Sequence, residues 1–110
     1  MTISLDDFSK VDIRVGTIIE VQDFQEAKKP AYKLTIDFGE LGVKKSSAQI
    51  RNYKATDLIG MKIVAVTNFR PKQVANFMSE VLVLGAMTEE GVILLTPSVP
   101  EKTLPGDKIL

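Results

Sequence analysis

Apolar and polar positions alternate with a period of two along much of the chain, as expected of half-buried strands. In Ile13-Arg14-Val15-Gly16-Thr17-Ile18-Ile19-Glu20-Val21 the odd positions are apolar or Thr, while Arg14, Gly16 and Glu20 fall on the other face. Gly16 inside such a run predicts a bulge or a tight bend. Residues 31–38 alternate cleanly, with Tyr32, Leu34, Ile36 and Phe38 on one side and Lys33, Thr35 and Asp37 on the other. Gly39-Glu40-Leu41-Gly42 predicts a turn, and residues 43–50 a third, unusually polar strand carrying Ser46, Ser47 and Gln49. A short helical turn over 54–60, capped by Thr56 and ended by Gly60, leads to a strongly apolar fourth strand over 61–67. Pro71 disfavours further pairing, so 72–79 is expected to be a loop. A fifth strand is predicted over 81–86 and a shorter sixth over 91–96. Pro97, Pro100 and Pro105 follow, with Pro105-Gly106-Asp107 as a turn.

Many short strands with one small helix between the third and fourth predict an all-β fold, a five-stranded OB-type Greek-key barrel with N- and C-terminal extensions. A small SH3-like barrel fits the periodicity almost as well. No repeat, low-complexity tract or linker interrupts the chain, so residues 1–110 are expected to form a single domain. At 45% hydrophobic residues the chain is rich in apolar side chains for its size. Either the β-rich core absorbs them, or a second subunit or a ligand covers part of them.

Composition narrows the chemistry. The chain has no Cys and no His. That excludes disulfides, thiolate nucleophiles, zinc-finger sites, imidazole bases and HExxH zinc sites. Asp12, Asp37 and Glu40 are the acids best placed for carboxylate chemistry, yet no nucleophile has an evident base, and no enzyme activity, cofactor or metal is expected. The N-terminus shows neither the basic nor the apolar region of a signal peptide, and no apolar run approaches a membrane span, so a cytoplasmic location is expected.

The formal net charge is zero, with 14 basic and 14 acidic residues, but the charges are segregated. Residues 1–27 hold six acids and two bases, residues 28–72 ten bases and three acids, and residues 73–110 five acids and two bases. The centre is therefore basic and its flanks acidic. Only the centre suits a polyanion.

Read together, six segments occur in a telling order: Asp12-Ile13-Arg14-Val15-Gly16-Thr17-Ile18, Ala31 to Gly39, Ser46-Ser47-Ala48-Gln49-Ile50, Leu58-Ile59-Gly60, Val66 to Pro71, and Ser79-Glu80-Val81-Leu82-Val83-Leu84-Gly85. Their order and spacing resemble the tRNA-binding domain family, whose fold is the OB barrel of the endothelial monocyte-activating polypeptide. The third and sixth segments look most similar to the CsaA-type secretion chaperones within it. The resemblance implies a cytoplasmic homodimer that binds unfolded or exported polypeptides (preproteins) and the secretion motor ATPase. The alternative it implies is a general structure-specific tRNA-binding protein. Many relatives carry Ser-x-Gly-Met where this chain has Ser79-Glu80-Val81-Leu82, a departure at the place where a glycine would let a backbone approach closely.

Three sets of candidate residues follow. Lys33, Lys44, Lys45, Arg51 and Lys54, with Asn68 and Ser79 at strand ends, would form an RNA-binding groove if they share one barrel face. Phe69, Val74, Phe77, Met78 and Leu82 would give adaptable apolar contacts to a peptide, with Ser46, Ser47 and Gln49 binding its backbone and Arg70 attracting acidic groups. Phe77 is expected to face the pocket and Met78 to plug one end of the barrel. Ile3, Leu5 and Phe8 with Leu95, Val99, Leu104 and Ile109 would form a dimer interface at the two ends of the chain.

Overall fold

The computed structural model describes all 110 residues. In chain order the elements are α1 (Leu5–Ser9), β1 (Ile13–Asp23), β2 (Tyr32–Asp37), β3 (Val43–Ala48), α2 (Ala55–Leu58), β4 (Lys62–Val66), β5 (Lys72–Val74), β6 (Phe77–Ser79), β7 (Leu82–Val83), β8 (Gly85–Thr88) and β9 (Gly91–Leu94), with single 3-10 turns at Gly39–Leu41 and Pro100–Lys102. Five strands form one antiparallel sheet in the order β3-β2-β1-β4-β7. It curls into a nearly closed barrel, the OB-type architecture that the periodicity predicts, with α2 between the third and fourth strands. The edge strand β3 meets the link between β6 and β7 where the Glu80 N–H donates to the Lys45 carbonyl at 2.7 Å.

The alternation of 32–38 is what fills the barrel. Tyr32, Leu34, Ile36 and Phe38 are all buried, together with Ile18, Ile50, Leu58, Ile63, Ala65, Val81 and Leu94. Each large aliphatic side chain buried in this way contributes about 1.5–3 kcal/mol. Gly16 is a close approach rather than a bulge: a Cβ there would lie 2.6 Å from Ile36 Cγ2 and from the Phe38 ring. The bulge falls later in β1, between Ile18 and Glu20, and it moves the inward positions from even (Gly16, Ile18) to odd (Val21), leaving Ile19 exposed.

Three further local expectations are corrected. Residues 72–79 form a hairpin, β5 with β6, instead of a loop; its two-residue turn carries Ala75 at a φ of 52°. The run over 81–86 breaks at Leu84: β7 stays in the barrel sheet, while β8 leaves it to pair with β9. Gly85 permits this because a side chain there would collide with Val92 and Ile93. Thr56 caps nothing; it lies inside α2, whose N-terminal cap is Lys54 with no side-chain bond.

The ends of the chain are tied to β1. Its first half pairs with β4 on one side. On the other it receives the C-terminal segment, through Gly106 N–H to Val15 O at 2.7 Å, Val15 N–H to Asp107 O at 2.9 Å and Ile109 N–H to Ile13 O at 2.9 Å. The second half of β1 pairs with β2. At the other terminus, Ser4 and Asp7 form a reciprocal capping box on α1. No helix is long and apolar enough to cross a membrane.

Candidate functional site

Beside the Lys45–Glu80 contact, residues of β3 and β7 line a cleft of about 720 Å³. Its floor is apolar: Ile50, Val81, Val83, Val92 and Leu94. Phe69 and Leu82 stand at its rim, 55% and 50% exposed. Ser47, Gln49 and Ser79 supply polar groups along one wall, and Arg70 and Lys72 supply positive charge. A smaller depression of about 370 Å³ shares Ser47, Gln49 and Val74 with it and continues to Lys28 and Lys29. None of these four bases is ion-paired.

Six of the residues expected to bind peptide, Ser47, Gln49, Phe69, Arg70, Val74 and Leu82, thus line one cleft. The other three do not. Ser46 is fully buried, and its hydroxyl donates to the Ser47 carbonyl at 3.2 Å. Phe77 packs edge-on against the buried Phe24 ring, with centroids 5.5 Å apart, away from the cleft. Met78, on the opposite face of β6, is 49% exposed and plugs nothing. Sequence reasoning missed Val81, Val83, Val92 and Leu94, because it read them as ordinary strand residues; the signal was the double strand break around Leu84 and Gly85.

The expected RNA groove does not assemble on one face. The β2–β3 register sets Lys45 opposite Thr35 and Lys44 opposite Ile36, so these two lysines point to opposite sides of the sheet. Lys33 lies over the Phe24 and Phe77 rings, at 4.9 and 5.6 Å, and pairs with Glu26 at 3.8 Å. Arg51 lies over Tyr32 and pairs with Asp23 at 3.3 Å. Lys54 is exposed. Ser79 accepts the Ser47 N–H at 3.1 Å.

Asn68 holds the chain together: its amide oxygen accepts the Asp12 N–H at 2.9 Å, and its NH₂ donates to the Lys10 carbonyl at 2.8 Å. Asp12, weighed above as a possible catalytic acid, belongs to the same structural knot. Arg14 Nε donates to it at 2.7 Å and the Thr67 hydroxyl at 3.1 Å. The Arg14 hydrogen bond holds the Asp12 carboxyl below its ordinary value; partial burial opposes this, and Thr67 with the charges of Arg14 and Lys108 adds to it. The folded state therefore favours the carboxylate. This stabilisation is complete above the ordinary carboxylate range and is lost as pH falls through the lowered value. Asp12→Asn is expected to lower stability near neutral pH by about 1 kcal/mol, and the gap to the native chain should narrow in acid. Denaturant titrations at several pH values check this. A gap that widens below pH 4 refutes it.

Of the expected interface residues, Ile3, Leu5, Phe8, Leu95, Val99 and Leu104 are exposed. Ile109 is half-buried and packs with Val11 and Leu84 on a second small cluster, Ile13, Val64 and Val66. Because Val11 follows α1 and the Leu95 N–H bonds to the Leu84 carbonyl, both apolar arms start from this one cluster.

Comparison with known proteins agrees with the fold. Residues 13–108 match the family model described as "Putative tRNA binding domain". The methionine–tRNA ligase of Leptospira interrogans serovar copenhageni is 36% identical over 110 residues, covering 99% of this chain and 15% of the ligase. The chain therefore spans only a small part of the curated relatives it matches. The CsaA chaperone protein of Picrophilus torridus superposes with a TM-score of 0.95 at 64% identity, covering 99% of this chain and all of that one. Chaperone CsaA of Bacillus anthracis superposes with a TM-score of 0.93 at 49% identity over the whole of both chains.

Proposed function

This chain belongs to the tRNA-binding domain family, and from that premise we propose that it acts as a CsaA-like molecular chaperone that binds unfolded or exported polypeptides as a cytoplasmic homodimer. One observation carries the reading: the cleft between β3 and β7 has an apolar floor, exposed Phe69 and Leu82 at its rim and a polar wall. Such a surface rewards apolar side chains of many shapes. The convergence of α1, Leu95 and the C-terminal tail on the Ile13–Val64–Val66 cluster supports a two-fold interface that covers Leu5, Phe8 and their neighbours. The secretion motor ATPase is a further partner on this reading.

General tRNA binding is the second reading, favoured by the family match and by seven bases of the central segment, Lys28, Lys29, Lys44, Lys45, Lys54, Arg70 and Lys72, that have no acidic partner within 4.0 Å and, unlike Lys62, are not bonded to backbone carbonyls. The two readings differ in their salt dependence. A complex built on several phosphate contacts loses orders of magnitude in affinity between about 50 and 200 mM salt. An apolar peptide complex changes little. Titrating one preparation against bulk tRNA and against an unfolded preprotein segment, at both salt levels, is expected to leave the polypeptide affinity within about threefold. Loss of polypeptide binding in salt, with retention of tRNA at low salt, would replace the first reading by the second. Lys45→Glu should weaken tRNA more than polypeptide in the same assay.

A further inference from the structure

The backbone at the cleft wall carries more information than its side chains. β3 and β7 are the two ends of the sheet order, so each has one edge that no strand of the sheet pairs, and β6 lies beside that edge of β3. On β3 the odd-numbered residues turn their backbone groups away from β2. Two of these N–H groups are satisfied by side chains standing in for a missing strand: Lys45 N–H by Glu80 Oε1 at 3.0 Å and Ser47 N–H by Ser79 Oγ at 3.1 Å. The Glu80 N–H to Lys45 carbonyl bond supplies one true backbone rung. Further along the same edge that substitution stops. The Ser47 carbonyl accepts only the neighbouring Ser46 hydroxyl, and Gln49 makes no hydrogen bond through either its N–H or its carbonyl. Ser47 and Gln49 both line the cleft.

We infer that the cleft binds polypeptide by strand addition: an extended segment lies along β3, continues the ladder that Glu80 begins, and bonds through its backbone to the Ser47 carbonyl and the Gln49 N–H. This deepens the chaperone reading and rests on it. The partner class follows from strand geometry. Side chains of an extended chain alternate between two faces, so every second residue meets the apolar floor of Val81, Val83, Val92 and Leu94 and the others face solvent. Backbone bonds supply affinity without reading sequence, and the floor asks only for apolar character at alternate positions. The segment is one that has not folded, since a helix or a finished sheet has already used its N–H groups. Near the two mouths of the groove, Arg70 and Lys72 on one side and Lys28 and Lys29 on the other favour acidic residues between the apolar ones.

The test uses a capped octapeptide of alternating valine and glutamate, and two N-methylated analogues of it that are isomers of each other. One isomer is N-methylated at the valines and the other at the glutamates, so each loses the N–H groups of one edge. The parent is expected to bind and to protect the Gln49 amide from hydrogen exchange. One isomer should bind about tenfold or more weakly, while the other stays within about twofold of the parent. Gln49→Pro, which deletes an N–H that bonds to nothing within the chain, should reproduce the loss. If both isomers bind as the parent does, or weaken equally, strand addition is wrong and the cleft still binds polypeptide by its side chains alone. If neither the parent nor an unfolded preprotein segment binds, the chaperone reading itself fails and strand addition fails with it.

Discussion

Gly106→Ala is expected to lower stability by roughly 3 kcal/mol or more and to release the C-terminal segment from β1. Two costs combine. The residue has a φ of +93°, outside the range that a side chain accepts readily. A Cβ would also stand 2.6 Å from the Phe38 carbonyl oxygen, a backbone atom fixed by the Gly39 turn. Strained backbone costs about 1–3 kcal/mol and overpacking a similar amount. Gly42 separates the two contributions, because its φ is +91° and a Cβ there meets nothing within 4 Å. Gly42→Ala should therefore cost only the backbone share, about 1–3 kcal/mol. Denaturant midpoints for the two variants, with hydrogen exchange at the Val15 and Ile109 amides, check both claims. Equal losses would show that the close approach to Phe38 is unimportant.

Phe69→Ala/Leu82→Ala is expected to weaken binding of an unfolded polypeptide by roughly a hundredfold while leaving the fold intact. Both side chains are half-exposed in the free protein, so their removal opens no core cavity. In a complex each would bury apolar surface at the cleft rim, and contacts of this kind carry about 1–2 kcal/mol apiece, or about tenfold each in affinity. Met78→Ala is the matched control. Met78 is 49% exposed, nearly the same as Leu82, yet lies outside the cleft. Calorimetric titration of the three proteins with one unfolded substrate decides the matter. If Met78→Ala weakens binding as much as the double variant, the site lies on β6 rather than between β3 and β7.

The barrel was legible in the sequence because its strongest signals are local. Tyr32, Leu34, Ile36 and Phe38 alternate without exception, and their partners follow from the turn at 39–42. The cleft was half legible. Phe69, Leu82 and Gln49 stood out as apolar or polar residues where a strand face did not require them. Its floor was not, since Val92 and Leu94 reach it only because β8 leaves the main sheet at Gly85. Counting charge along the chain misled for a related reason. Lys33 and Arg51 look like free bases until the fold lays them on Phe24, Phe77 and Tyr32 and beside acids from other segments. Asn68 and Ser79 look like ligand contacts until the backbone groups they satisfy, 56 and 32 residues away, are in place.

The split partnership of β1 also sets the order in which the barrel is assembled. Its second half meets β2 across about 15 residues of chain, as between Thr35 and Glu20, whereas its first half reaches the C-terminal segment across 92, as between Arg14 and Gly106. Closing the longer loop in an otherwise unfolded chain costs roughly 1.6 kcal/mol more entropy. The β1–β2 hairpin is therefore expected to form early, and the tail to dock late. Contacts made that late slow unfolding without speeding folding. On that expectation the turn at residues 105–107 would act as a latch on the native state, and the lifetime of the closed barrel would depend on how often that latch lets go.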